Sequence, residues 1–261
     1  NPAKTLGTFQ VFEMIGTLAV LIAGIGLSPA LVKRVSEGGS SEHILGTAIV
    51  LLIPPLAIIS TVLYIGRGYV SSLVGVEQTV VIAAVALIWV LQGRNFVVSS
   101  LSGSSRVGRS GVVSLIEIFV RSVLQIALVV IGLELFGLVA GALVGTAVAF
   151  GVGLEMVPIR IGPPRREEAS SLLSFAKFSF FREFATKAYH NIDTAIISIL
   201  LGNSAVGIYN IPFRIALVLQ VFSSAVSTSS FPEISRYSEE GDYERVREIL
   251  ADAIVFSGIV A

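Results

Sequence analysis

The sequence predicts an all-α, polytopic membrane protein built as two pseudo-symmetric helix bundles around a central cavity. Three observations carry that prediction. Of the 261 residues, 54% are hydrophobic and 14% charged, with a mean hydropathy of +0.86, whereas a soluble domain carries roughly 25% charged residues. The apolar residues fall in runs of about 20 or more, the length that crosses a hydrocarbon core. The chain also repeats itself. Pro29-Ala-Leu-Val-Lys-Arg-Val-Ser-Glu-Gly-Gly39 matches Pro232-Glu-Ile-Ser-Arg-Tyr-Ser-Glu-Glu-Gly241 across a one-residue gap, and Asn1 to Phe9 matches Asn203 to Tyr209 with Gly7 opposite Gly207. The period is about 200 residues.

The first run, 9–32, carries Gln10, Glu13 and Thr17 on one side and Gly16, Gly24 and Gly26 as positions of close helix approach, and it stops at Lys33 and Arg34. The second, 43–65, contains Pro54-Pro55, which should break or kink it. A short loop, 66–75, leads to the third run, 77–99, ending in Gln92, Arg94 and Asn95. The fourth, 111–133, places Glu117, Arg121 and Gln125 on one stripe, where Glu117 and Arg121 can neutralise each other one turn apart. The fifth, 138–158, is dense in Gly and Ala and reads as a tightly packed helix.

Gly162-Pro-Pro-Arg-Arg-Glu-Glu168 is the strongly polar connection and marks a bundle boundary. Residues 1–161 are therefore read as an N-terminal lobe, 162–174 as a cytoplasmic linker, and 175–261 as the start of a C-terminal lobe. That second part contains spans at 175–201 and 206–230, a polar surface helix within 231–250, and the beginning of a further span. In the second repeat the helix 175–201 precedes Asn203, so an equivalent helix is expected ahead of Asn1, and the five spans of the first lobe correspond to helices 2–6 of a complete one. The repeats enter from the same side, so they are related by an axis along the membrane normal.

Charge fixes the orientation. Lys33, Arg34, Arg106, Arg109, Arg160, Arg165, Arg166, Arg236, Arg245 and Arg247 collect on one side, and Lys4 and Arg67 on the other; the basic side is cytoplasmic. Net charge is zero and Cys is absent, which argues against a nucleic-acid partner and excludes disulfides and thiolate chemistry.

The run 175–201 is the unusual one. At about 40 Å it can cross a bilayer, yet it holds Arg182, Glu183, Lys187, His190 and Asp193. At ~100° per residue, Ser179, Arg182, Glu183, Thr186, Lys187, His190 and Asp193 share an arc of about 140°, opposite Phe181, Ala185, Ala188, Ile192, Ala195 and Ile199. Ionic residues at membrane depth line a wet cavity or a polar bundle interior.

Leu201-Gly-Asn-Ser-Ala-Val-Gly-Ile-Tyr-Asn210, with Asn191-Ile-Asp193 upstream and Phe231-Pro-Glu-Ile-Ser-Arg236 downstream, resembles the polysaccharide biosynthesis flippases of the multidrug/oligosaccharidyl-lipid/polysaccharide exporter superfamily. Leu27-Ser-Pro-Ala-Leu-Val-Lys-Arg34 fits that family's second helix. The resemblance covers essentially the whole chain. It implies a two-lobe, alternating-access protein of the cell membrane that moves a polyprenyl-linked saccharide, with cavity cations meeting the lipid pyrophosphate.

The candidates for substrate binding are Arg182 and Lys187, with Arg214 and Arg94 beside them. Glu183, Asp193, Glu117, Arg121 and His190 form the candidate cavity network. Glu13 could take a coupling cation, Na+ or H+, or pair with a basic residue of the opposite lobe. Asp193 and Arg214 lie at equal depth either side of the turn near Asn203 and are expected to pair across the hairpin. A multidrug exporter of the same fold is the alternative; it would favour an acidic cavity. No Asp/Glu cluster for a divalent cation and no phosphate-cradling Gly-rich loop appears, so no catalytic residue, metal or cofactor is expected.

Overall fold

The computed structural model describes residues 1–38, 41–158, 160–214, 216, 237 and 242–260, and the side chains of all of these except 188–190 and 252–260. Every regular element among them is helical: α1 (Pro2–Gly24), α2 (Leu27–Ser36), α3 (Ser41–Ile65), α4 (Arg67–Val74), α5 (Gln78–Gly103), α6 (Val107–Val130), α7 (Glu134–Met156), α8 (Arg166–Leu201), α9 (203–214) and α10 (Tyr243–Val260). Five of them, α1, α3, α5, α6 and α7, are long and apolar enough to cross a membrane. The protein is a multi-pass membrane protein. Most of the expected span 206–230, with its Ser/Thr cluster, lies outside the described residues.

The first run divides differently from the expectation. α1 begins at Pro2, whose missing N–H falls in the first turn where no helix bond is lost, and it ends where Ile25 (φ 40°) and Gly26 (φ 72°) turn left-handed before α2. Gly26 is required twice over. Its φ disfavours a side chain, and a Cβ there would overlap the Ala176 carbonyl of α8 and stand 2.6 Å from the Phe180 nitrogen. Conversely, α3 runs unbroken through Pro54 and Pro55; a membrane helix tolerates the lost N–H groups when neighbouring structure satisfies the freed carbonyls. The expected loop 66–75 is also a helix, α4, with Tyr69 and Leu73 exposed and Arg67 bonded to the Tyr64 carbonyl (2.8 Å) beside its ring.

α5 is the centre of the bundle, packing on α1, α2, α3, α6 and α7. Its residues join two apolar clusters: Ile88, Phe96, Val97 and Leu101 with Leu27, Leu31, Leu45 and Leu172 toward the basic end, and Val80, Val81, Ala84 and Leu87 with Phe9, Phe12, Val74 and Val139 toward the opposite end. α6 packs mainly on α7. Gly137, Gly141 and Gly145 form a stripe on α7, and a Cβ on each would come within 2.8 Å of Leu128, Gln125 and Arg121 respectively. Small residues at every fourth position let the two backbones approach.

The linker is strapped to the basic end of α3. The Gly162 nitrogen donates to the Glu42 carbonyl (2.9 Å), His43 Nδ1 lies 2.8 Å from the Pro163 carbonyl, and the Arg165 nitrogen donates to Thr47 Oγ1 (3.0 Å). α8 then starts at Arg166 rather than at 175, because Glu167 and Glu168 suit the positive end of a helix dipole.

The described residues form two compact units, Asn1–Gly207 and Ile208–Ala261. The division falls within α9, and α8 packs on α1, α2 and α3 of its own unit. Within the second unit Tyr209 stacks on Phe213. There α10 is capped by Asp242, whose Oδ1 accepts from the Arg245 nitrogen at 3.1 Å. Residues 243–250 and the apolar residues after them form this one helix without a break, while most of the rest of the expected polar segment lies outside the described residues.

Candidate functional site

α8 buries Leu172, Ala176, Ser179, Thr194 and Ser198 within the first unit, with Glu183, Lys187 and Asn191 half-buried beside them. At ~100° per residue this stripe is rotated about 50° from the centre of the arc of polar residues. The reason is size: the α8 backbone at Ala176 and Phe180 lies directly against Gly26, an approach that long ionic side chains on that face would prevent. Arg182, Thr186 and Asp193 consequently stand on an exposed flank of α8, beside Phe178 and Phe181 at 69% and 72% exposure. The side chain of His190 lies outside the described residues. Arg214 belongs to the second unit, near the end of the described part of α9.

At the basic end α8 is held by α2: Arg34 Nη2 donates to the Ser171 carbonyl (3.3 Å), and Lys33 sits 4.5 Å from the centre of the Phe175 ring. At the other end it is held by α4. Ser198 Oγ lies 3.1 Å from the Val74 carbonyl and 2.8 Å from Asn203 Oδ1, and Asn203 Nδ2 donates to the Gly75 carbonyl at 2.8 Å. Gly75 is the left-handed cap of α4, so these carbonyls have no partner within that helix.

The remaining charged candidates form two ion pairs within the first unit. Arg121 of α6 meets Glu13 of α1, with the Phe9 ring 5.5 Å from the guanidinium. Arg94 Nε of α5 lies 2.7 Å from Glu117 Oε2 of α6, close enough for an ion pair but off the line of a hydrogen bond. Thr146 donates to Glu117 Oε1 (3.0 Å), and Arg94 Nη2 donates to Ser114 (2.9 Å). Thus Glu117 and Arg121 do not neutralise each other along α6; each reaches a different helix, because Gly141 and Gly145 bring α7 against one side of α6 and leave α1 and α5 as the sources of opposite charge. Glu13 takes its base from its own unit. A pocket of about 900 Å³ between α5 and α7 at the end opposite the basic one is lined by Glu77, Glu134 and apolar residues and involves none of the expected site residues.

Residues 3–261 match the family described as polysaccharide biosynthesis protein. The chain belongs to that family. Among similar members in Haloferax volcanii are the probable low-salt glycan biosynthesis flippase Agl15, 27% identical over 97% of this chain and 53% of its own length, and the probable flippase AglR, 27% identical over 98% and 54%. The chain spans about half the length of these curated relatives. No solved structure matches it.

Ser198, Asn203 and Gly75 make the polar contacts at the turn after α8, and none was singled out as functional from sequence. Asn203 could have been found: it opens the second copy of the repeat and sits in the Gly-Asn-Ser turn. The Arg94–Glu117 pair was legible too, since both lie at similar depth from the basic ends of their helices.

Proposed function

We propose that the complete protein is a cell-membrane flippase, not an enzyme, that moves a polyprenyl-linked saccharide by alternating access between two helix lobes, one of them residues 1–161 and the other begun by 175–261. The observation that carries this reading is Arg182, roughly 24 Å along a helix of about 54 Å, on an exposed flank of α8. It joins similarity along nearly the whole chain to two proteins named as flippases.

A pyrophosphate entering a low-dielectric cavity is costly unless cations meet it. Arg182 and the half-buried Lys187 are the proposed partners, with Arg214 a further candidate. Arg94 is less available, because Glu117 already compensates it. Glu183, Asp193 and His190 are assigned to the surrounding polar network. Coupling to Na+ or H+ is proposed to act through Glu13: a proton or cation there would release Arg121 from its carboxylate.

The test is Arg182→Ala/Lys187→Ala in the full-length protein, reconstituted in vesicles with lipid-linked saccharide. Translocation should fall at least tenfold with membrane insertion unchanged. Parental rates in the double variant would remove both residues from the binding role.

A further inference from the structure

At the end opposite the basic one, α1 and α9 touch backbone to backbone. A Cβ on Gly7 would overlap the Asn203 carbonyl and stand 2.9 Å from the Gly207 nitrogen; a Cβ on Gly207 would overlap the Ala3 carbonyl and stand 3.1 Å from the Gly7 nitrogen. Ala3 precedes Gly7 by one helical turn, as Asn203 precedes Gly207. The contact is therefore reciprocal, the pattern of an isologous two-fold contact, and it joins the same two glycines that the sequence repeat sets opposite each other.

No side chain can enter this crossing, so it excludes water and solutes by backbone alone. What fixes it is the neighbouring clasp. Asn203, 6% exposed, donates to Gly75 at the end of α4 and sits against Ser198 of α8. At Gly7 and Gly207 there is no side chain to disengage, and directional bonds beside the crossing run from Asn203 to the Gly75 carbonyl and from Ser198 to Asn203 and the Val74 carbonyl. That combination suits a contact that must close completely and part cleanly.

We infer that Gly7 and Gly207 form the outer seal of the translocation path, closed in this arrangement, and that Asn203 is the positioning residue that holds it shut. The inference rests on the flippase reading for the path itself, while the seal can be tested separately. Gln10, one turn below Gly7 on the same side of α1, serves as reporter through Gln10→Cys, the chain itself having no cysteine.

In the full-length protein in intact cells, an impermeant maleimide should label that cysteine slowly. Gly7→Leu and Gly207→Leu should each speed labelling at least fivefold, and to similar extents because the contact is reciprocal. Gly151→Leu, at a position with open space around it, should leave it unchanged. Asn203→Ala, which adds no bulk, should raise labelling by a smaller factor and supplies the test if the leucine variants fail to insert. Fast labelling in the parent, or unchanged labelling in inserted Gly7→Leu and Asn203→Ala proteins, would overturn the seal. Faster labelling in variants whose parent shows no saccharide translocation would instead overturn the flippase reading and leave the seal standing.

Discussion

Replacing Glu117 by Gln removes the charge that faces Arg94 while keeping an oxygen for the Thr146 hydroxyl. At ~1.5 Å per residue both members of the pair lie roughly 14 to 15 Å from the basic ends of α5 and α6, within the membrane. Their side chains are 20% and 12% exposed, so water can compensate a lone guanidinium only in part. Breaking such a pair from one side costs about 3–5 kcal/mol, whereas removing both charges together is often nearly neutral. A neutral hydrogen bond between membrane helices averages about 0.6 and reaches at most about 1.7 kcal/mol. A double-mutant cycle of Glu117→Gln and Arg94→Met should therefore give a coupling of at least ~2 kcal/mol, beyond the hydrogen-bond range. The measurement is reversible unfolding of the full-length protein in mixed micelles, with vesicle translocation assayed alongside. If the pair is a brace, the double variant should translocate within threefold of the parent. A coupling below ~0.6 kcal/mol, or loss of translocation only when Arg94 is removed, would refute the brace and return Arg94 to the substrate.

Gln92 is 3% exposed and its amide nitrogen lacks a protein acceptor among the described residues. Gln92→Leu should thus leave stability unchanged or raise it by up to ~1 kcal/mol; a loss above ~1 kcal/mol in the same unfolding assay would mean that a buried water satisfies the amide. Adding a side chain at Gly145, as in Gly145→Leu, should force α6 from α7 and lower stability by about 1–3 kcal/mol, read as a lower unfolding midpoint; an unchanged midpoint would show that the helices can separate freely. Gly46→Val should dislodge the strap, since a Cβ at Gly46 overlaps the Gly162 carbonyl. Trypsin should then cut after Arg160 or Arg165 several times faster in inside-out vesicles, and an unchanged rate would show that the strap does not protect these bonds.

Hydropathy alone placed α3, α5, α6 and α7, because a bilayer leaves a backbone few ways to satisfy its hydrogen bonds other than by coiling, while the first run, 9–32, spans the break between α1 and α2. The repeat likewise set Gly7 opposite Gly207 before any contact between them was known. Charges were less legible. Periodicity put Glu117 and Arg121 on one stripe, but which base meets which acid depends on how closely neighbouring helices approach, and that is decided by Gly141 and Gly145 on a different helix. The same holds for α8: its polar arc was plain in the sequence, while the face that packs is the one carrying the small buried residues Ala176, Ser179, Thr194 and Ser198, with Ala176 at the crossing of Gly26 and Ser198 at the end of α4. A helix's own sequence defines which residues share a side. Which side is turned inward depends on the shape of the surface that receives it, and for α8 that surface is built mainly by α1, α2 and α3, far from it along the chain.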